Sequence, residues 1–586
     1  MVRAVSEPGQ QGRNGTVHAG ASVPRVVSLS RAITRIPSWI RALAFYIVLA
    51  ILSIGWHAVT HPQTVCACVG TADPAAYMWA LSWWPHAILS GLNPFVTHYQ
   101  WSPTGTNLAQ AAMIPTAAII ATPITALFGP LFSYNALAIL SPALAAFTAY
   151  LLCRRLIRKE LAAVVGGLLY GFSSYEFAQL LGHLNLVMTF LLPVMVHMSL
   201  MRVDREVSRV KYVLGMAVLI FLQIGLSTEL LAESVAIGLV VLVAARLIAV
   251  PPQRERVFGL ILETILAGLL AAVVSAPFLY YALFSGGLPQ SNPALSDAYP
   301  LDFANLIFPS FTTWLGHHDF QSLWATYDKG DVSEANGYFS LPILIAFGAW
   351  LLTSGWRSVL GKLLAVGTLV SIILAMGSHL HVAGNQTITL PYSWVKTLPI
   401  FDNIIPARIV VFSGLAIAIG VAAWLAARGT HMLARWSLVL LGILLLVPNL
   451  TSSLYGVPPF NPRFFSTSLY RHYLSRNETV LMLPFGHNDN STLWQAETGF
   501  YFYMPEGYVS SQIPAPFEAE PGVTELFNNV APAAPVLGSF IRAHSVSDVV
   551  VDPTQAGPWP RALQQLGFRA QSVGGVLLFH VPDSPA

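Results

Sequence analysis

Asp73, in the step Ala72-Asp73-Pro74 of a loop rich in Trp, His and Pro, is the first side chain with the makings of a reagent. A carboxylate at the edge of a membrane costs a few kcal/mol if it is desolvated without a partner, so its presence there needs a reason. One reason is structural, because Asp before Pro at the first helical position is an ordinary N-cap. The other is catalytic: a carboxylate beside a membrane cavity can take a proton from an acceptor hydroxyl. The two readings are compatible. Downstream in the same loop, Asn93-Pro94-Phe95, His98 and Trp101 to Asn107 either pack the loop or line a sugar site, since aromatics and amides suit carbohydrate faces and hydroxyls.

A second group comprises Tyr175, Glu176, Gln179, His183 and Asn185. Glu176, Gln179 and His183 stand at i, i+3 and i+7 and share a face if one helix runs through all three. Ionisable groups inside a membrane are functional hypotheses, with a satisfied interhelical polar network as the plain alternative. Glu229 and Glu233, at i and i+4, repeat the pattern; two carboxylates on one face can hold a divalent cation, share a proton or cap a helix toward water. His317, His318, Asp319 and Asp328 have no metal-ligand spacing, and their loop reads as a substrate cover. Arg408, in Pro406-Ala407-Arg408, sits where a bidentate guanidinium can reach a phosphate in the headgroup layer or simply snorkel to the interface. Lys396 and His183 are the other candidate phosphate partners.

These side chains need a frame, and the composition says what kind. Of 586 residues, 55% are hydrophobic and 10% charged, with mean hydropathy +0.61. An average soluble protein carries about 25% charged residues, so a soluble enzyme is excluded. A net charge of +3 without a basic, aromatic-interleaved stripe excludes nucleic acid as a partner. Apolar runs predict about 11 transmembrane helices, near 38–58, 134–153, 160–177, 184–202, 211–228, 230–250, 257–284, 338–353, 359–377, 406–427 and 433–450. The basic connections after 153, 202, 246, 357 and 428 alternate with these spans and read as cytoplasmic. Only Lys329, Lys396 and Arg408 then remain as outer cations of the membrane part, against a majority of its acids. The stretch 108–130, with Pro115, Pro123 and Pro130, fits this alternation only as a non-crossing hairpin on the outer side.

The domain reading is a disordered cytoplasmic tail over 1–36, a transmembrane domain over 37–450 with outer loops 59–107 and 285–337, and an extracytoplasmic α/β domain over 451–586. In the last, strand-like runs (480–483, 549–551, 576–580) alternate with helix-like ones, lysine is absent and no nucleotide loop is present. Cys66, Cys68 and Cys153 suggest neither a disulfide framework nor a zinc site.

A first long outer loop bearing Asp73, a following amphipathic segment, many further spans and a soluble outer domain together resemble the GT-C superfamily of membrane glycosyltransferases. The segments Asp73-Pro74, Gly91-Leu92-Asn93-Pro94-Phe95, Gly182-His183-Leu184-Asn185 and Pro406-Ala407-Arg408 look like those of its bacterial members, YfhO-like proteins included. The resemblance implies a polytopic α-helical protein of the bacterial cytoplasmic membrane, N-terminus inside and C-terminal domain outside. It implies inverting transfer of a sugar from a polyprenyl-phosphate donor to an extracytoplasmic glycan, lipid or protein acceptor, with Asp73 as base. The remaining site residues are then Arg408, Glu176, His183, Asn185, His98 and Lys396, for substrate. The family often has a pair of acids in this loop, whereas here Ala72 and Pro74 flank Asp73. No metal ligands are assigned, and a divalent cation stays open as a cofactor. Competing readings are a flippase or exporter of lipid-linked glycans, disfavoured because ionisable groups gather at the outer ends rather than through the midplane, and a non-catalytic envelope scaffold.

Overall fold

The computed structural model describes residues 36–69, 72–285, 297–327, 330–398, 401–429, 431–509 and 513–582. The expected N-terminal tail, except Ile36, and the residues Asp328 and Lys329 lie outside these. Helices overlie every expected span. Six are long and apolar enough to cross a membrane: α1 (Ser38–Thr60), then Pro130–Ile157, Glu160–Gln179, Thr228–Ile248, Pro251–Val274 and Pro406–Ala426. Helices over Leu191–Val203, Leu341–Thr353, Val359–Ala375 and Met432–Leu445 are apolar but shorter, and Arg209–Ile224 carries Arg209 and Lys211 in its first turn. The chain is a multi-pass membrane protein.

After α1 come α2 (Ala72–Leu89), α3 (Pro115–Phe128), α4 (Pro130–Ile157) and α5 (Glu160–Gln179). The sequence reads the segment after Asp73 as amphipathic, but α2 is buried nearly all round. Its tryptophans explain how: Trp79 Nε1 donates to Gln495 Oε1, Trp83 to the Pro94 carbonyl and Trp84 to the Met113 carbonyl, so each indole is paired inside protein.

The stretch 108–130 is not a hairpin: after a short 3-10 turn at Leu108–Gln110 it holds one helix, α3. At 14 residues it is about 21 Å long, shorter than a bilayer core, as are the helices over Leu191–Val203, Leu341–Thr353 and Met432–Leu445. Its two ends are tied to other elements: Thr116 N–H donates to the Gly225 carbonyl, and the Phe128 carbonyl accepts from Gln63. Gly129, at φ +86°, makes the turn into α4, which starts with Pro130 at its first position.

Further along lie α6 (Leu191–Val203), α7 (Arg209–Ile224), α8 (Thr228–Ile248), α9 (Pro251–Val274), α10 (Leu341–Thr353), α11 (Val359–Ala375), α12 (Pro406–Ala426) and α13 (Met432–Leu445). Ser227 caps α8 by accepting from Leu230 N–H, which puts Glu229 in the first turn, where a negative charge suits the helix dipole.

Residues 451–586 carry a four-stranded sheet in the order β1-β2-β4-β3, from β1 (Thr479–Leu483), β2 (Val546–Val551), β3 (Ala570–Val573) and β4 (Val576–His580). β1 and β2 are parallel, ending together at Leu483 and Val551, and the remaining pairs are antiparallel. The loop that follows α2 is part of this domain's packing. Trp101 and Ser102 N–H groups donate to the Glu506 and Met504 carbonyls, Met504 N–H donates to the Tyr99 carbonyl, and Gln495 Nε2 also reaches Tyr99. The Trp101 ring sits in the domain core against Phe485 and Phe517. Of the two roles open for residues 93–107, packing is the one Trp101 performs.

Candidate functional site

Asp73 is held from both sides in sequence. Before it, Cys66 and Cys68 form a disulfide, Cys66 N–H donates to the Val457 carbonyl and Ala67 N–H to Asn135 Oδ1. The cysteines thus have a structural role the spacing does not announce: their Cα atoms are 5.1 Å apart, within bridging reach, and the bridge stiffens the approach to the carboxylate. After it, Tyr77, one turn along α2, donates to Asn185 Oδ1 at 2.5 Å. Asp73 lies within the first turn of α2 rather than before it. Its oxygens face outward partners: Tyr508 Oη donates to Oδ1 at 2.8 Å, and His183 Nε2 stands 3.6 Å from Oδ2. Burial and the adjacent Asp73 charge push the Tyr508 phenol well above its ordinary value, so it remains a donor.

From His183 a chain of polar contacts runs to the membrane helices. His183 Nδ1 lies 2.9 Å from Gln179 Oε1 and 4.0 Å from Glu334 Oε1. Gln179 Nε2 donates to the Ser333 carbonyl. Glu334 receives Arg408 through Nε (3.0 Å) and Nη2 (2.5 Å), and Arg408 Nη1 bonds Glu229 at 2.9 Å. The pairing is deep: the side chains of Arg408 and Glu334 are 11% and 2% exposed. Each partner comes from a different place in the chain. Asp73 follows α1, His183 follows α5, Glu229 begins α8, Glu334 precedes α10 and Arg408 begins α12, so the alternation of the helices gathers them at one face.

On the other side of Asp73 an open cleft of about 350 Å³ lies between α2 and the C-terminal domain. Tyr508, His487, Asn488, Asp489, Asn490 and Gln555 line it. Asp489 and Gln555 follow the carboxyl ends of the parallel strands β1 and β2, where open α/β sheets place ligands. Burial lowers the His487 imidazole below its ordinary value, which leaves it neutral near pH 7.

The sequence matches no family description and no curated protein. Solved structures similar to the chain include the archaeal oligosaccharyltransferase AglB from Archaeoglobus fulgidus, in complex with an inhibitory peptide and a dolichol-phosphate. It is 14% identical, with 92% of this chain and 74% of that chain covered, at TM-score 0.46. The oligosaccharyltransferase of the same organism in complex with Zn and sulfate is 13% identical, with 93% and 73% covered, at TM-score 0.48. ArnT from Cupriavidus metallidurans bound to undecaprenyl phosphate is 11% identical, with 92% and 97% covered, at TM-score 0.46.

Of the residues singled out in the sequence, Asp73, Gln179, His183, Glu229 and Arg408 belong to one chain of contacts, and Asn185 supports it through Tyr77. Glu176 does not join them. The helix that was to carry Glu176, Gln179 and His183 on one face ends at Gln179; Glu176 turns inward to accept from Thr189 Oγ1 at 2.5 Å, and only Gln179 meets His183. Lys396 is tied instead to Asp297, and His98 is exposed, with Nδ1 3.0 Å from the Pro103 carbonyl in its own turn. Arg408, expected to be available to phosphate, is already shared by two carboxylates. Glu233 is buried with neither carboxylate oxygen hydrogen-bonded. Among the loop residues, His318 Nδ1 engages the Trp314 carbonyl.

The residues missed are Tyr508 and the pair Asp331 and Glu334. Tyr508 stands 435 positions from Asp73 and had no local pattern to mark it. His183, Asp331 and Glu334 each bring one ligand atom to within 4.8 Å of the other two. One imidazole nitrogen and two carboxylates are a donor set that fits a divalent cation, although linear spacing gives no metal motif.

Proposed function

We propose that the chain is a membrane glycosyltransferase that moves a sugar from a polyprenyl-phosphate donor to an extracytoplasmic glycan, lipid or protein acceptor. The observation that carries this reading is the place of Asp73, one oxygen turned to a polar cleft and the other to a charge chain at the ends of membrane helices. A base needs that position: the acceptor hydroxyl approaches from the aqueous side and the lipid-borne leaving group from the membrane side.

In the reaction, the acceptor hydroxyl gives its proton to Asp73 as its oxygen bonds to the anomeric carbon. The bond from that carbon to the phosphate oxygen breaks, and the lipid phosphate leaves with the electron pair. Attack opposite the leaving group inverts the centre. Tyr508 orients the base through Oδ1, and Asn185 holds α2 through Tyr77. Arg408 reaches a departing phosphate by giving up one of its two carboxylates. A divalent cation, if bound, would be held by His183, Asp331 and Glu334 and would supply positive charge beside the phosphate.

The basic connections favour an N-terminus in the cytoplasm and a C-terminal domain on the opposite side of the membrane. The Cys66–Cys68 disulfide beside Asp73 supports the same sidedness, since such bonds persist in oxidising compartments. Glu263, the one acid deep in a span on the basic side among the described residues, is held by Arg202 through two bonds of 2.6 and 2.7 Å, which offers a flippase no free charge there.

Purified protein supplied with a polyprenyl-phosphate sugar and an envelope acceptor tests the reading: sugar transfer is expected from wild type and lost in Asp73→Asn. Undiminished transfer by the variant removes Asp73 from the mechanism. Mass spectrometry of lipids and glycans from a deletion strain identifies the sugar, as one missing monosaccharide and its accumulated precursor.

A further inference from the structure

The charge chain serves the phosphate side of Asp73, but the cleft on the opposite side has no part in activating the leaving group. Its walls carry mostly polar side chains. The amides of Asn490 and Gln555 face it with no hydrogen bond engaging them among the described residues, and Asn488 spends its Nδ2 on the Phe485 and Phe527 carbonyls while keeping its oxygen. Asp489, 5% exposed, gives one oxygen to Ser491 N–H and leaves Oδ2 unpartnered. No lysine or arginine lines the cleft among the described residues, while two carboxylates, Asp73 and Asp489, do.

We propose that this cleft is the acceptor site and that it selects a neutral, hydroxyl-rich sugar. The proposal rests on the glycosyltransferase reading and names the acceptor class for it. A sugar hydroxyl is donor and acceptor at once, which matches amides, a phenol and an imidazole better than any ionic group does. A phosphorylated or uronic-acid terminus would meet the Asp73 carboxylate and no cation, and this repulsion is what gives the cleft its selectivity. The volume of about 350 Å³ falls within the range of small-ligand pockets. Asp73, at the cleft wall, is the group to which the bound hydroxyl passes its proton, as the new bond to the anomeric carbon forms and the lipid phosphate departs.

The test uses full-length protein, donor lipid extracted from membranes, and as acceptor the envelope glycan of a strain lacking the gene. Replacing both amides (Asn490→Ala with Gln555→Ala) is expected to raise KM for that glycan about tenfold or more with kcat changed no more than about threefold. Slow hydrolysis of the donor by water, which does not need the acceptor site, should persist in the double variant and reports an intact fold. Unchanged KM overturns the cleft assignment while leaving the glycosyltransferase reading in place; no transfer by wild type defeats that reading instead. If the double variant does not fold, the acceptor decides: mass spectrometry of the sugar residue that receives the transfer should find it neutral, and a phosphate or carboxylate on it overturns the proposal.

Discussion

Two arginines, Arg408 and Arg155, each hold two carboxylates, at opposite faces of the membrane part. Arg155 at the end of α4 bonds Asp204 and Glu206 at 2.6 Å, with partner side chains 58% and 47% exposed. Arg408 bonds Glu334 and Glu229 at similar lengths, but its partners are 2% and 20% exposed, and the contacts continue through His183 to Asp73. The covalent chemistry is the same. Water around the first trio screens it and makes it a surface clasp, while protein around the second makes the same charges expensive, mutually dependent and available for work on a substrate.

The largest effect expected at the buried end is on chemistry. Asp73→Asn keeps the shape and the Tyr508 contact but removes the base, and transfer should fall about 10²- to 10⁴-fold, the usual worth of a positioned acid or base; a purified-enzyme assay with unaltered melting behaviour checks it. Next, Arg408→Ala leaves Glu229 and Glu334 without their cation, and loss of one partner from a buried set costs about 3–5 kcal/mol, to be read by thermal unfolding in detergent.

Asp489 extends the comparison to a buried acid with no arginine at all. Burial pushes its carboxyl up to about 7 from the ordinary 3.8. The folded state therefore keeps a proton that the unfolded chain has released, and stability falls as pH rises from about 4 toward about 7, then levels. Asp489→Asn should flatten that slope in melting temperatures taken across the range. Smallest of all, Arg155→Ala should move the melting temperature by about 1 °C or less, with the difference shrinking in high salt. A large Arg155 effect would erase the contrast between the two faces.

Composition made the membrane class and the places of the apolar helices readable, because both follow from local hydropathy. Asp73, His183 and Arg408 were readable as separate residues at the ends of spans. Their connection was not. It depends on Glu334, which belongs to a long loop with no motif, and on Tyr508, brought in by a domain hundreds of residues away. The Glu176 face failed for a local reason: Ser173 restarts a short helix and the chain turns at Leu180, so the 3.6-residue period stops before His183. The amphipathic reading of α2 failed because its tryptophans find partners outside the helix, in Gln495, Pro94 and Met113, that bury its flanks in protein.

Trp101 seated in the core of the C-terminal domain sets an order on the making of the protein. Its pocket is built from Phe485 and Phe517, which leave the ribosome some 400 residues later, so the first loop must wait, with a large indole unburied, while every span is inserted. Tyr508 reaches Asp73 only at the end of that wait. A chain cut short after its last span would carry Asp73 and the whole charge chain, yet would have neither the cleft nor the phenol that orients the base, so an unfinished copy is disarmed by construction.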